Sequence, residues 1–204
     1  MPNVLTMPVC DSYTIKDTLG HFVCAYQLDW ANVDRKELED TFDLMKDADS
    51  LGSIMRFEIS QDTREHLIEA VNAYDAEPKY AEAFKNLIDG FRLIIALTEN
   101  YHALVMNPPY MGGGNMNGVL SKYVKDNYKN GKADLATVFV EMMGQRTSAN
   151  GSYAFIIPPS WMFLSTFEGL RKNIIENQSI ESLLHLSRGV FGADFGASSA
   201  VIKN

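Results

Sequence analysis

The first hundred residues carry their apolar side chains mainly at helical spacing. Over residues 33–46 this pattern predicts an acidic amphipathic helix whose apolar face is formed by Leu38, Phe42 and Met45. Residues 60–98 continue the pattern, and Pro78 is predicted to divide this stretch into two helices, because proline disrupts a helix interior but suits a first turn. Asp62 is the predicted N-cap of the first of these helices, with Glu65 in the capping-box position.

Three shorter segments before residue 60 have a different pattern. The apolar segment His21–Tyr26 could form a strand, and residues 47–53 are rich in turn-forming residues. Residues 54–59 alternate apolar and polar side chains, which is typical of a half-buried strand.

After residue 100, short apolar segments alternate with amphipathic ones. The apolar segments predict strands at residues 103–106, 153–157, 180–186 and 198–202. The amphipathic segments predict helices at residues 117–128, 134–146 and 167–176, and Asn150-Gly151 predicts a turn. This alternation indicates an α/β fold with a largely parallel sheet, in which the wholly apolar strand at 103–106 is covered on both faces.

Composition and charge narrow the classes of function. The chain has 46% hydrophobic and 22% charged residues, which excludes a disordered protein, and its net charge of −8 argues against a stand-alone module that grips nucleic acid. Cys10 and Cys24 belong to no CxxC pair or His/Cys cluster, so we expect reduced thiols and no metal site. The sequence contains neither a signal peptide nor an apolar run of membrane-spanning length, so we expect a cytoplasmic protein.

The tetrapeptide Asn107-Pro108-Pro109-Tyr110 follows the strand predicted at 103–106 and precedes a glycine-rich loop. Ligands of open α/β sheets bind at the carboxyl ends of strands. The two prolines stiffen the backbone, so that the Asn107 side-chain oxygen and the Pro108 carbonyl can accept both hydrogens of an exocyclic amine. The Tyr110 ring offers a stacking face for a base rotated out of a duplex. The alternative is a rigid turn that only ends the strand.

Paired acceptors of this kind suit methylation of an amino group. The lone pair of the N6 atom of adenine is delocalised into the ring, so the amine is a poor nucleophile. Two fixed acceptors draw the nitrogen towards tetrahedral geometry and aim its lone pair at an incoming methyl group. Positioning and electrostatics, rather than acid–base chemistry, should supply most of the rate.

Residues 105–110 resemble the catalytic motif of amino-group DNA methyltransferases. The continuation Met111–Asn117, with its three glycines, is similar to the PglX-type methyltransferases of BREX phage-defence systems and to type IIG restriction–modification enzymes. Residues 46–54, 132–141 and 157–165 fit the same family in order and spacing, and the resemblance extends over residues 46–204.

The resemblance implies a fold, an activity and a cofactor. The fold would be an incomplete Rossmann-like class I methyltransferase sheet flanked by helices, with an α-helical insertion. Residues 1–204 would form a single partial catalytic domain, with 1–45 as a poorly defined N-terminal segment and 46–204 as the core portion. The activity would be site-specific transfer of a methyl group from S-adenosyl-L-methionine to the N6 amino group of adenine in DNA.

The family also implies roles for residues that contact the target base. Asn107, Pro108 and Pro109 would form the catalytic corner with Tyr110. Tyr110 and Phe191 would stack on the flipped adenine, with Phe195 as a competing candidate for the second position.

Cofactor contacts are implied for Asp49, Asn107 and Phe139. Asp49 could instead be a turn or cap residue, and Phe139 could be a core residue of its helix. Trp161 is predicted to belong to the core.

One segment has the composition of a nucleic-acid contact. Its four lysines are interleaved with Tyr123 and Tyr128, and phosphate contacts and base stacking use these residue types; the lysines are Lys122, Lys125, Lys129 and Lys132. A solvated helical face explains the segment equally well.

The family binds its cofactor with a glycine-rich loop after the first strand, and no GxG motif precedes Asn107. We therefore expect a fragment without the main cofactor cradle and the target-recognition domain, inactive or nearly so by itself. DNA would be bound through domains missing from this chain, other defence-system subunits are possible partners, and no membrane is expected. Two alternatives stay open: a methyltransferase of protein glutamine or of RNA bases, and a non-catalytic remnant that acts as an interaction module.

Overall fold

The structure, a computed structural model, describes residues 5, 12–31, 33–77, 81–186, 189 and 196–204. They belong to two compact units, a helical unit (Met1–Glu99) and a sheet unit (Asn100–Asn204). None of the described helices is long and apolar enough to cross a membrane. Cys24 is a free, exposed thiol, and Cys10 lies outside the described residues.

The helical unit contains five described helices: α1 (Ser12–Ala25), α2 (Arg35–Met45), α3 (Ala48–Leu51), α4 (Gln61–Ala76) and α5 (Ala81–Thr98). The strand expected at residues 21–26 is wrong, because this segment forms the end of α1. Phe22 is fully buried, and its ring lies 5.1 Å from that of Phe84 and 6.3 Å from that of Phe91. Packing against α5 therefore overrides the strand-like local pattern.

The amphipathic helix predicted at residues 33–46 is confirmed as α2. Leu38, Phe42 and Met45 are all buried. Asp34 caps the helix, since its Oδ1 atom accepts hydrogen bonds from the backbone N–H groups of Lys36 and Glu37.

The predicted division of residues 60–98 into two helices is confirmed by α4 and α5, with residues 78–80 outside the described part of the chain. The N-cap of α4 is Ser60 rather than Asp62, so that prediction is wrong. The Glu37 carboxylate accepts hydrogen bonds from the backbone N–H and hydroxyl of Ser60 and from the Thr63 hydroxyl. The Thr63 hydroxyl is the largest cause that lowers the pKa of Glu37. A carboxylate from α2 thus sets where α4 begins.

The two segments between α2 and α4 also differ from expectation. Residues 48–51 of the turn-rich stretch form the short helix α3, followed by a 3₁₀ turn at Gly52–Ile54. The strand expected at residues 54–59 is wrong, because residues 55–60 belong to no described strand or helix. Met55 is fully buried there, so its apolar side chain serves the core rather than a sheet.

The sheet unit contains four strands, β1 (Tyr101–Met106), β2 (Thr147–Ile157), β3 (Ser179–Leu186) and β4 (Ala197–Lys203), and three helices, α6 (Gly118–Asn127), α7 (Leu135–Arg146) and α8 (Glu168–Asn177). The strand order is β1-β2-β4-β3. The α/β class and all seven predicted elements after residue 100 are confirmed, with ends that agree within about two residues except at β2, which begins at Thr147 rather than at Tyr153. The helices α6 and α7 begin at side-chain caps, Asn117 and Asp134.

The expectation of a largely parallel sheet is wrong. Strand β1 runs parallel to β2, but β4 is antiparallel to both β2 and β3. The connection from β3 to β4 spans only residues 187–196, which is shorter than the dozen or more residues that a parallel crossover needs. Chain length between the strands therefore decides their direction.

The apolar sequence of β1 predicted a strand covered on both faces, and this prediction is wrong. Strand β1 lies at the edge of the described sheet, and the side chain of Val105 is 81% exposed. The turn expected at Asn150-Gly151 is also wrong, because both residues lie inside β2. Asn150 nevertheless has a φ of 63°, and the β1–β2 register shifts between Tyr101 and Ala103. The turn-forming residues thus produce an irregularity within a long strand instead of ending it.

Tyr153 on β2 makes the sheet unit sensitive to alkaline pH. Its buried hydroxyl donates a 2.7 Å hydrogen bond to Oε1 of Gln178, and burial raises the pKa of Tyr153 well above its ordinary value. A tyrosine in the unfolded chain has its ordinary pKa of about 10. The protonated, buried phenol therefore contributes fully to the free energy of unfolding below about pH 10. This contribution is lost as the pH rises towards the pKa of Tyr153 in the folded protein.

We expect the urea midpoint of the chain to fall more steeply above about pH 10 than that of the Tyr153→Phe variant. At neutral pH the variant should lose only about 1 kcal/mol, the typical net value of one hydrogen bond. Parallel midpoint curves for the two proteins between pH 8 and 11 would contradict this expectation.

Candidate functional site

Two proline corners meet at one edge of the sheet unit. Asn107-Pro108 follows the end of β1, and Pro158-Pro159 follows the end of β2. The two strands are parallel, with Met106 paired to Phe155, so both corners lie at the carboxyl edge of the sheet. This is the edge at which open α/β sheets bind their ligands.

Tyr110 links the two corners. Its hydroxyl lies within hydrogen-bonding distance of two acceptors, Oδ1 of Asn107 at 2.9 Å and the carbonyl of Ile156 at 3.1 Å. The single hydroxyl hydrogen is shared between these acceptors, and this bifurcated contact orients the Asn107 side chain and links the loop after β1 to the end of β2. The structure therefore gives the tyrosine a positioning role in addition to the stacking role predicted from the sequence.

The corner presents the Asn107 and Tyr110 side chains to solvent. Asn107 and Pro109 are exposed, Pro108 is buried, and the Tyr110 side chain is 42% exposed. A carbonyl oxygen has two lone pairs, so Oδ1 of Asn107 can accept a second hydrogen bond beside the one from Tyr110. Partial burial raises the pKa of Tyr110, which further favours the protonated hydroxyl that donates to Asn107.

The glycine segment after the corner is anchored through its backbone. The Gly113 N–H donates to the Ala133 carbonyl at 2.8 Å, and the Leu135 N–H donates to the Met111 carbonyl at 2.8 Å. A Cβ atom on Gly112 or Gly114 would meet nothing within 4 Å. The protein itself therefore does not require glycine at these two positions, and the bare backbone is open to the close approach of a ligand.

The turn that holds the glycine segment depends on Glu141. Its carboxylate accepts hydrogen bonds from the backbone N–H groups of Asn130, at 3.0 Å, and Gly131, at 2.7 Å. The Thr137 hydroxyl donates to the Gly131 carbonyl at 2.7 Å. Sequence reasoning missed this support, because a glutamate ten residues from the turn carries no local signal of its partner.

The four lysines predicted to contact nucleic acid are all exposed. Lys122 and Lys125 lie on α6, while Lys129 and Lys132 lie in the turn between α6 and α7. Tyr128 is fully buried, so its predicted availability for base stacking is wrong, and the half-buried Tyr123 packs near it with ring centroids 6.5 Å apart.

The predicted cofactor residues lie in different units. Asp49 is exposed on α3 of the helical unit. Phe139 is half-buried on α7 of the sheet unit, between the buried Val138 and Val140. Phe191 and its competitor Phe195 lie outside the described residues.

Trp161 is buried, which confirms its predicted place in the core. Across the part of the chain that the structure describes, no group of three or more His, Cys, Asp or Glu side chains is arranged to hold a metal ion.

Comparisons with known proteins identify relatives along most of the chain. The family model described as Eco57I restriction-modification methylase matches residues 21–191. The chain is 32% identical over 186 residues to the adenine-specific methyltransferase BrxX of Escherichia coli O9:H4 (strain HS), covering 85% of this chain and 15% of that protein. It is 32% identical over 199 residues to the adenine-specific methyltransferase PglX of Lacticaseibacillus casei (strain Zhang), covering 93% of this chain and 16% of that protein.

A solved structure from Listeria monocytogenes, described as a class I S-adenosylmethionine-dependent methyltransferase, is also similar. The TM-score is 0.43 at 13% identity, with 95% of this chain and 69% of that chain covered. The chain thus spans about one sixth of the length of the two curated relatives.

Proposed function

Because the chain belongs to the Eco57I restriction-modification methylase family, we propose that it carries the target-amine site of an adenine-specific DNA methyltransferase. The reaction is transfer of a methyl group to the N6 atom of adenine, with S-adenosyl-L-methionine as the cofactor. The observation that carries the proposal is the exposed corner at the carboxyl edge, where the Tyr110 hydroxyl orients the Asn107 side-chain oxygen.

Catalysis by this corner rests on two oxygen acceptors. Oδ1 of Asn107 and the Pro108 carbonyl accept the two hydrogens of the adenine amine, so the nitrogen moves towards tetrahedral geometry. Because proline has no N–H, no donor of its own competes beside the carbonyl. When bound, the cofactor supplies an electrophilic methyl group. The amine proton becomes acidic only as the new N–C bond forms and then passes to solvent, so no strong base is needed.

The residues of this chain fit part of a cofactor site. Asn107 and the open backbone at Gly112 and Gly114 lie at the edge of the sheet where a cofactor would bind. We propose the half-buried Phe139 and the exposed Asp49 as further cofactor contacts, because the resemblance to the family implies these roles. The rest of the cradle would come from another part of a longer protein.

We propose that DNA contacts extend beyond the corner. The exposed Lys122, Lys125, Lys129 and Lys132 would bind phosphates, and Phe191 would provide a second stacking face. With a net charge of −8, most of the DNA affinity should come from other domains, and further defence-system subunits are candidate partners. We therefore propose a cytoplasmic enzyme.

We also propose that the two units belong to one partial class I catalytic domain. The family match at residues 21–191 extends across both units, which supports this assignment. The helical unit would then be the α-helical insertion expected from the sequence.

The proposal is tested with the longest gene product that contains this sequence. The protein is incubated with genomic DNA, total RNA and a protein extract, each in a separate reaction with methyl-labelled S-adenosyl-L-methionine, and single-molecule sequencing then maps any modified adenines in the DNA. The expected result is N6-methyladenine at one recurring sequence. Label that enters only RNA or protein would favour the alternative substrates, and no label in any polymer would favour the non-catalytic alternative.

The two functions of Tyr110 should separate by mutation. The Tyr110→Phe variant keeps the ring but loses the hydrogen bonds to Asn107 and Ile156, so we expect kcat to fall several-fold. The Tyr110→Ala variant also loses base stacking, which is worth about 1–3 kcal/mol, so DNA binding should weaken by a further 5- to 150-fold. The readouts are kcat and the fluorescence of 2-aminopurine placed at the target adenine. Equal behaviour of the two variants would contradict the stacking role.

Alanine substitutions at the open glycines should change ligand binding without changing thermal stability. We expect Gly112→Ala and Gly114→Ala to leave the melting temperature unchanged, because the added methyl group meets no protein atom within 4 Å. The Michaelis constant for cofactor or DNA should rise by about tenfold if a ligand approaches this backbone closely. Unchanged kinetic constants in both variants would remove the glycine segment from the proposed site.

A further inference from the structure

The turn after the second proline corner exposes two large apolar side chains. Phe163 is 66% exposed and Leu164 is 52% exposed, although the residues before them lead directly from the buried end of β2. Large apolar side chains exposed together on a folded protein commonly mark an interaction site. The corner chemistry described above does not use either residue.

The backbone of this turn is held from several sides. The Phe163 and Leu164 N–H groups both donate to the Ser160 carbonyl, at 3.1 and 3.0 Å. The Arg171 Nη1 atom donates to the carbonyls of Trp161, at 2.7 Å, and Leu164, at 2.8 Å. The turn is therefore preorganised, and its apolar side chains project from a fixed frame.

The turn is also tied to the carboxyl edge of the sheet. The Trp161 indole N–H donates to the Ser198 hydroxyl at 2.8 Å, and that hydroxyl donates to the Ile157 carbonyl at 3.1 Å. Ile157 directly follows Ile156, whose carbonyl accepts the hydrogen bond from Tyr110. The end of β2 thus contacts the target-amine corner through the Ile156 carbonyl and supports the turn through the Ile157 carbonyl.

The Phe163 ring lies at the same edge. Its centroid is 5.8 Å from that of the exposed His185 ring on β3. His185 pairs with Ser198 on β4, and Ser198 pairs with Ile157 at the end of β2. The aromatic pair therefore lies level with the carboxyl end of β2.

We propose that Phe163 and Leu164 form a wedge that enters the DNA duplex beside the flipped adenine. An enzyme that rotates a base out of a duplex must disrupt stacking, and exposed Phe and Leu side chains are residue types that proteins insert between base steps. The wedge would stabilise the opened duplex, whereas Asn107 and Tyr110 hold the extruded base. This role rests on the proposed function, since it presupposes a flipped target.

The test uses the longest gene product that contains this sequence and two duplexes that carry its mapped site. In the first duplex the target adenine is paired with thymine, and in the second it lies opposite an abasic site, which lowers the cost of flipping. We expect Phe163→Ala to reduce methylation of the paired duplex at least tenfold and that of the abasic duplex less than threefold. Phe163→Trp should restore activity on the paired duplex, and Leu164→Ala should show a weaker form of the alanine effect.

Ile175→Ala is the matched control. Ile175 is a large apolar residue that is 69% exposed. It lies near the end of α8, where the chain enters β3 at the edge of the sheet opposite the carboxyl end of β2. We expect this variant to methylate both duplexes like the parent protein.

The outcomes separate the wedge from the proposed function. Equal loss on both duplexes in Phe163→Ala, or loss with a changed oligomeric state, would overturn the wedge and indicate a protein-docking or structural surface. Unchanged activity on both duplexes would overturn it as well. If the parent protein methylates neither duplex, the proposed function itself fails.

Discussion

Replacing Asn107 with alanine is expected to lower kcat for adenine methylation by about 10²–10³-fold, the range measured when one preorganised transition-state contact is removed from an active site. The Asn107 oxygen is positioned by the Tyr110 hydroxyl at 2.9 Å, so it is oriented before any substrate arrives. Its loss leaves the amine with one fixed acceptor, the Pro108 carbonyl. The measurement is single-turnover transfer of labelled methyl groups to a duplex that carries the mapped site.

Folding should be little affected by this substitution. Asn107 is exposed, so the melting temperature should stay within about 1 °C of the parent value, as expected for a surface substitution. Asn177→Ala, which removes an exposed amide from the last turn of α8, is the matched control and should keep full activity. A loss of less than fivefold in the Asn107→Ala variant would mean that the amine is held by other groups.

The largest expected effect on stability comes from Gly131→Ala. A Cβ atom at this position would lie 2.4 Å from the Thr137 carbonyl oxygen and 2.8 Å from the Val138 nitrogen. Both contacts are with backbone atoms at the start of α7, so no side chain can move aside. We expect the free energy of unfolding to fall by about 3 kcal/mol, the upper end of typical overpacking costs.

Urea denaturation of the chain measures this change, with Gly112→Ala as the control because its added methyl group has open space. We also expect methylation to fall in Gly131→Ala, since the same turn presents the Ala133 carbonyl that anchors Gly113. A midpoint equal to that of the Gly112→Ala control would show that the turn can relax without cost.

Much of the sheet unit was predictable because its signals are local. The apolar strand, the diproline corner and the open glycines are adjacent in sequence, so the motif and the strand end that carries it could be recognised together. Helices α6 and α7 begin at Asn117 and Asp134, whose side chains accept hydrogen bonds from N–H groups two or three residues later. Such short-range bonds follow from residue type and spacing alone.

The helical unit was less predictable because distant partners decide its details. Residues 21–26 have a strand-like composition, yet Phe22 packs against Phe84 and Phe91 on α5 and the segment becomes helical. The start of α4 moved from Asp62 to Ser60 because Glu37, on another helix, accepts hydrogen bonds from Ser60 and Thr63. Neither partner is visible in the local pattern.

The sequence by itself determined the α/β class and the position of the Asn107–Tyr110 corner at a strand end, and it predicted the residues proposed to bind an amine there. Only the tertiary structure decided that β4 inserts antiparallel between β2 and β3, that Glu141 supports the turn behind the glycine segment, and that Tyr110 orients Asn107 while contacting Ile156. The physical reason is range. Caps, strand ends and proline corners depend on neighbours a few residues away, whereas strand direction and positioning hydrogen bonds depend on which distant groups the completed fold brings together.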